Sequence, residues 1–313
     1  MLPPPAIHKE EAPMRLTLLA TAALLALSSP AIAQDAPKRA TPAEVLAASP
    51  AGDWRVPVPE NTFYMDLPGG RVVIELAPAF APVHVENMRK LARENWYEGT
   101  FIVRVQDNYV TQWGMPDETP KPMKTALDKL APEFTVKDGA RTLPFAKLPD
   151  PDAYAPEVGI SDIFPAARDP KTGEAWMTHC YGIVGVGRGM PLDSGSGAEL
   201  YTVIGHSPRP LDKVITLVGR VLKGMELLTA LPRGTGTLGF YEKVEQRVPI
   251  TAVRLAADVP VAEREKIEVL SGQSETYTKW RDARRFRQDD FFIRASGHID
   301  VCNAMPPVRV VKG

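Results

Sequence analysis

The chain has 313 residues, 44% hydrophobic and 24% charged, with a formal net charge of -1. That composition is globular, with room for one large domain or a domain with additions, and its charge balance leaves no footprint for nucleic acid or an anionic membrane surface. The 31 prolines exclude a simple helical bundle and point to long ordered loops.

The first residues carry an address. Arg15 precedes "LTLLATAALLALSS" and then Ala31-Ile32-Ala33. A positive charge, an apolar run of about a dozen residues and a small-x-small cleavage site make a secretory signal peptide over residues 1–33. The run falls short of the roughly 20 apolar residues of a bilayer anchor; an uncleaved anchor is the alternative. The polar "MLPPPAIHKEEAP" fits no part of a signal, so translation is expected to start at Met14. The mature protein is expected in the periplasm or secreted, with no membrane span after cleavage, and as a monomer.

Residues 34–60 are polar and rich in Pro and Ala, a linker or N-terminal arm. The patterned domain covers 61–257. Phe63, Met65 and Leu67 alternate with other residues, Pro68-Gly69-Gly70 supplies a turn, and Val72, Ile74 and Leu76 alternate again, which predicts a hairpin. A helix follows, with Pro82 in its first turn and Val85, Met88, Leu91, Ala92 and Trp96 on one face. "FIVRVQDNYVTQWG" (101–114) reads as two strands about an Asp107-Asn108 turn. Residues 115–178 are dense in Pro, Asp and Lys with weak periodicity, an insert too long for an ordinary connection. Strand patterns resume at 182–186, 200–204 and 216–221, then "KGMELLTAL" predicts a short helix and "PITAVRLAA" a last strand. The expected class is mainly β, a closed antiparallel β-barrel capped by two short helices. Residues 258–313 are expected as a helical C-terminal extension, from "PVAEREKIEVL" and "ETYTKWRDARRFRQ".

Several motifs dissolve when weighed. "GVGRGMP" lacks the Lys-Ser/Thr of a phosphate loop and does not open a helix, and "DSGSG" lacks the strand-to-helix elbow of a serine nucleophile. Arg281, Arg284, Arg285 and Arg287 are interleaved with Asp282, Asp289 and Asp290, so a solvated face with acidic partners fits better than a nucleic-acid patch. Cys180 and Cys302 have no His or Cys at ligand spacing to complete a zinc site, and no metal or other cofactor is expected. In an oxidising compartment they form a bridge or stay as two separate buried thiols. His179 adjoins Cys180, but neighbours on a strand face opposite ways.

Arg104 and Gln112 stand apart. Across a hairpin turning near Asp107-Asn108, positions 104 and 112 lie opposite, so guanidinium and amide share a face beside Tyr109 and Val110. An arginine oriented by an amide next to an apolar wall suits a grip on a neutral carbonyl beside an apolar ring. "YEGTFIVRVQDNYVTQWG" resembles the signature of the cyclophilins. "GGRVVIELAPAFAPVHVENMRKLARENWY" and the blocks "YGIVGVGRG", "GAELYTVIG" and "PLDKVITLVGRVLKGMELLTAL" resemble that family's flanking segments. The resemblance covers about 62–257 apart from the insert, and none of 258–313.

By that resemblance Arg104 is the catalytic arginine and Gln112 the glutamine that orients it, both expected as catalytic. Ile102, Tyr109, Val110, Tyr201 and Leu211 match the proline pocket. Trp113, Glu199, Leu200 and Ile215 occupy positions where the family has glycine, glutamine, phenylalanine and histidine, and are counted with the substrate-binding set. Val103 replaces a histidine, Met115 an aspartate and Pro210 the tryptophan that many members carry. The resemblance implies a peptidyl-prolyl cis-trans isomerase acting on proline-containing polypeptides and assisting the folding of exported proteins. A non-catalytic peptide-binding or chaperone module on the same fold is the alternative.

Overall fold

The computed structural model describes residues 39–116, 118 and 120–311; the expected signal peptide, its start at Met14 and residues 34–38 lie outside them. In chain order the strands are β1 (Trp54–Arg55), β2 (Thr62–Leu67), β3 (Gly70–Leu76), β4 (Phe101–Val105), β5 (Val110–Gly114), β6 (Ala146–Lys147), β7 (Glu157–Ser161), β8 (Phe164–Arg168) and β9 (Ala175–Met177). After them come β10 (Ile183–Val186), β11 (Leu200–Val203), β12 (Leu217–Lys223), β13 (Val248–Pro249), β14 (Ala252–Leu255), β15 (Ile267–Leu270) and β16 (Val308–Val310). The helices are α1 (Pro42–Ala47), α2 (Pro82–Arg93), α3 (Gly139–Thr142), α4 (Met225–Thr229) and α5 (Glu275–Arg285).

The predicted first hairpin is present as β2 and β3. Leu67 pairs with Gly70 across a two-residue turn, and Gly70 has φ 137°, a conformation that side-chain-bearing residues rarely adopt. Phe63, Met65, Val72, Ile74 and Leu76 point into the main core, where Val85, Met88 and Leu91 of α2 meet them. Nine strands form one curled antiparallel sheet in the order β13-β4-β5-β11-β10-β12-β3-β2-β14. The expected closed barrel is corrected here: the ladder has two ends, β13 and β14, which are successive pieces of one segment. Pro249 has no N–H to give, and the chain changes partner just beyond it. Ile250 N–H donates to Thr100 O and Thr251 N–H to Asp66 O, each at 2.9 Å. The gap is therefore crossed by the chain itself rather than by a ladder. α2 lies against β14 and α4 against β3.

The hairpin is buried on its outer face too. Tyr64 and Val73 belong to a second core with Val158, Ile163, Phe164 and Trp176 of the insert and Val269 and Val301 of the extension. The insert, expected as an irregular excursion, holds a four-stranded sheet of order β6-β7-β8-β9. The central strands β7 and β8 are each buried at all but one end residue, so they lack the alternation that marks a half-buried strand. The extension is not helical throughout. α5 forms as predicted, but "KIEVL" becomes β15, between β1 and β16. Ile267 and Val269 are buried and Glu268 between them is not, a period of two that outweighs helix-forming Glu and Lys. From residue 39 the arm packs as well: Val45 and Leu46 of α1 meet Tyr277 and Trp280 of α5, and Trp54 pairs with Leu270.

Polar staples join these layers. Arg55 of the arm contacts Glu75 on β3 at 2.9 Å and Asp162 of the insert at 2.5 Å. The buried Arg220 of β12 donates to Ile163 O at 2.9 Å and Pro306 O at 2.7 Å; burial pushes its pKa down to about 10, leaving it charged at neutral pH. Arg285 of α5 pairs with Asp150 of the insert at 2.6 Å, and Arg287 just past the helix with Asp289 at 2.7 Å, one of the acidic neighbours expected of that basic cluster. Glu133 of the insert sits at the N-terminus of α2, whose N-cap Ala81 offers no side-chain acceptor. It accepts the Val83 N–H at 3.1 Å and the His84 N–H at 2.9 Å, and its Oε2 lies 2.6 Å from His84 Nδ1. Burial alone would raise the Glu133 pKa, but the His84 ring and these N–H groups hold it below the usual carboxylate value.

A carboxyl with a depressed folded pKa contributes stability above its unfolded value, about 4.3, and loses it as pH falls through the folded value. Glu133→Gln should therefore lower unfolding free energy by about 1 kcal/mol at pH 7. In urea titrations the gap should close below pH ~4; a gap unchanged in acid would refute the capping role. Cys180 and Cys302 form a disulfide with Cα atoms 5.0 Å apart and 122 residues of separation. Loop-closure entropy alone sets a loss of about 4–5 kcal/mol for Cys302→Ser. Denaturant midpoints of oxidised wild type and variant should differ accordingly, and coincident midpoints would mean the bridge constrains nothing.

Candidate active site

One extra residue in β4 builds the site. Ile102 pairs with Trp113 and Arg104 with Gln112, so Val103 is a bulge. In a regular strand Ile102 and Arg104 would face the same way; the bulge sends them to opposite faces. Leu200 pairs with Trp113 and Tyr201 with Gln112 on the next strand. Two rows result. Ile102, Trp113 and Leu200 form one in the main core, each at most 1% exposed. Arg104, Gln112 and Tyr201 form the other, along a cleft of about 100 Å³.

The sequence expectation for Ile102, Trp113 and Leu200 is thus corrected: they support the site from behind and line no part of the cleft. Leu211 is also displaced from its expected role, half-buried in the turn Arg209–Leu211 and absent from the lining. Tyr109, Val110 and Ile215 line the cleft as expected and pack with Tyr201 into an apolar wall. Glu199 stands at the rim, where its carboxylate accepts from the Gln112 amide.

Arg104 is held from several sides. Nη1 donates to Gln112 Oε1 at 2.8 Å, Nη2 donates to Gln106 Oε1, and Nε donates to Leu238 O at 2.6 Å. The guanidinium carbon lies 5.5 Å from the Tyr109 ring centre and 5.3 Å from that of Phe240, within cation–π range of both. Burial lowers its pKa below the usual arginine value, with Tyr109 and Glu199 opposing. A guanidinium has five N–H groups. Nε and one hydrogen on each η nitrogen are spent on the protein, which leaves a hydrogen on each η nitrogen for a ligand. The arrangement can offer a fixed, charged, two-pronged donor to a carbonyl beside an apolar wall.

Sequence reasoning missed Gln106, Leu238 and Phe240. Gln106 carried a signal, an amide two residues from the arginine. Leu238 acts through its backbone, and Phe240 approaches from a loop whose contact with β4 no local pattern announces. Arg188 also lines the cleft, its guanidinium turned onto Val214 O at 3.2 and 3.1 Å. A larger apolar hollow of about 390 Å³ lies between the arm, the first hairpin and residues 261–268. Its arginine, Arg264, donates through Nε to Val259 O and through Nη2 to Ala257 O.

Known proteins align with this geometry. A peptidyl-prolyl cis-trans isomerase cyp18 of Streptomyces antibioticus is 26% identical over 166 residues, 52% of this chain and 99% of the relative. Peptidyl-prolyl cis-trans isomerase B of Bacillus subtilis is 26% identical over 167 residues, 53% of this chain and 86% of the relative. A probable peptidyl-prolyl cis-trans isomerase of Brucella suis is 43% identical over 56 residues, 18% of this chain and 29% of the relative. The crystal structure of cyclophilin AquaCyp293 from Hirschia baltica superposes with a TM-score of 0.66 at 22% identity, covering 88% of this chain and all of that one, a likeness of fold. Residues 62–255, more than half of the chain, match the family described as Cyclophilin type peptidyl-prolyl cis-trans isomerase/CLD. The chain is a member of the cyclophilin-type peptidyl-prolyl cis-trans isomerase family.

Proposed function

We propose that the chain is a peptidyl-prolyl cis-trans isomerase that acts through Arg104 on proline-containing segments of exported proteins. The observation that carries the reading is the fixed Arg104–Gln112 pair against the wall of Tyr109, Val110, Tyr201 and Ile215. An Xaa-Pro amide resists rotation because its nitrogen lone pair is shared with the carbonyl, with a barrier of roughly 18–20 kcal/mol. Exchange without help takes tens to hundreds of seconds at about 25 °C. No proton transfer or covalent intermediate is needed. In the twisted amide conjugation is lost, so the pyramidal nitrogen regains a lone pair that can accept from a free Nη hydrogen. The apolar wall holds the proline ring still while the other side of the bond turns. A gain of about 6 kcal/mol would give roughly four orders of magnitude in rate.

Gln112 keeps the guanidinium aimed, and Glu199 in turn holds the Gln112 amide. Such preorganisation means that the donors need not reorient as the bond twists. The export part of the reading rests on the signal pattern at 1–33 and on the Cys180–Cys302 disulfide, which suits an oxidising compartment. Intact mass of the natively exported protein should begin at Gln34; a retained leader in a membrane fraction would contradict it.

Replacing Arg104 by Ala removes donors used chiefly in the twisted state, so kcat should fall by about 10²–10³ while peptide Kd changes far less. Arg104→Lys keeps charge without the fork and should recover only part of the loss. Gln112→Ala should cost about tenfold, since it orients rather than donates. Protease-coupled isomerisation assays at matched folded fraction provide the rates, and equal activity in all variants would place the site elsewhere.

A further inference from the structure

Behind the cleft runs a line of buried polar groups that the isomerisation chemistry leaves unused. Tyr201 lines the cleft, yet its hydroxyl is turned away from it, 2.9 Å from Nε2 of the fully buried His179. His179 Nδ1 lies 2.9 Å from Asp212 Oδ1, which also accepts the His179 backbone N–H at 2.9 Å. A carboxylate only accepts, so Nδ1 carries the proton, and in that tautomer Nε2 accepts from the phenol. Burial also drives the Tyr201 pKa up, which keeps the phenol protonated as that donor.

The line continues into the insert. Arg209 Nε donates to Asp212 Oδ2 at 2.6 Å, and its two terminal nitrogens each donate to Asp152 at 2.9 Å. Tyr154, two residues further along the insert, covers the guanidinium at 5.0 Å. The side chains of Arg209, Asp152 and Asp212 are at most 8% exposed. Ionic groups so deeply buried add little net stability over an apolar filling, so their fixed geometry is the feature to explain. Gly185, opposite Tyr201 on β10, supplies an independent observation. A Cβ there would lie 2.4 Å from both Cζ and the hydroxyl oxygen of Tyr201, so the phenol reaches His179 across a gap that only glycine leaves.

We propose that Asp152, Arg209, Asp212 and His179 form a positioning relay by which the insert fixes the Tyr201 ring and so sets the affinity of the cleft for a proline-containing peptide. Asp152 and His179 are positioning residues that touch no part of the cleft. The inference rests on the cleft being the proline site, and it concerns binding rather than the twisting step.

The test uses the mature chain with a proline tetrapeptide, measuring Kd by calorimetry and kcat separately by isomerisation kinetics, with folding verified by near-ultraviolet circular dichroism. Asp152→Ala is expected to raise Kd about 3- to 10-fold, the range of coupling through a packed network, and leave kcat nearly unchanged. Asp152→Asn, which keeps the shape and part of the hydrogen bonding, should recover much of the affinity. In a Tyr201→Phe background, where the hydroxyl is gone, Asp152→Ala should have no further effect. In 13C-tyrosine-labelled protein the Tyr201 Cζ resonance, which needs no peptide, should move in Asp152→Ala. A folded Asp152→Ala with unchanged Kd and an unmoved resonance would overturn the relay, as would equal losses with and without the Tyr201 hydroxyl. A wild type that binds but does not isomerise would defeat the catalytic reading alone, with the Kd comparison still judging the relay.

Discussion

The site depends on the bulge at Val103. Without it Arg104 would follow Ile102 into the core, where a guanidinium has no water and no carboxylate to meet it. With it, the register Arg104–Gln112–Tyr201 faces out while Ile102–Trp113–Leu200 faces in. One row is the chemistry and the next row is the packing that stiffens it. The inner row is nearly solvent-free, so shifting it would require repacking a close-packed interior. That packing holds the strand that carries the donor fork in place.

Around this sheet the chain adds a second layer, built from the insert, which lies within the family match, and from the extension beyond it. The first hairpin is covered on both faces, by α2 and the main core within and by the insert and extension without. Arg55, Arg220 and Glu133 tie arm, insert and extension to the sheet at points where backbone or carboxyl groups would otherwise be buried without partners. The disulfide closes the extension onto the residue next to His179. An addition distant in sequence thereby reaches the buried residues behind the cleft.

Much of this was legible beforehand. The first hairpin, α2, the Asp107-Asn108 turn and the Arg104–Gln112 pairing all followed from alternation, helical spacing and turn residues, which act locally. What failed was non-local. The resemblance puts Ile102, Trp113 and Leu200 with the substrate-binding set, and the bulge that turns this row inward leaves no mark in the local sequence. β7 and β8 escaped notice because burial on both faces removes their alternation, and β15 because Glu and Lys masked a two-residue period. In the sequence His179 is only the neighbour of Cys180; the fold brings Asp212 and Tyr201 to its two nitrogens.

The most direct test of the account is two-dimensional exchange NMR on a short Xaa-Pro peptide with a catalytic amount of the mature protein. Uncatalysed, the cis and trans resonances exchange too slowly, over tens of seconds or more, to give cross-peaks at mixing times of about 100 ms. Cis–trans cross-peaks should appear with wild type and vanish when Arg104 is replaced by alanine, while chemical shifts in the peptide still report binding. Binding shifts with wild type but no cross-peaks, or cross-peaks that persist without Arg104, would contradict it.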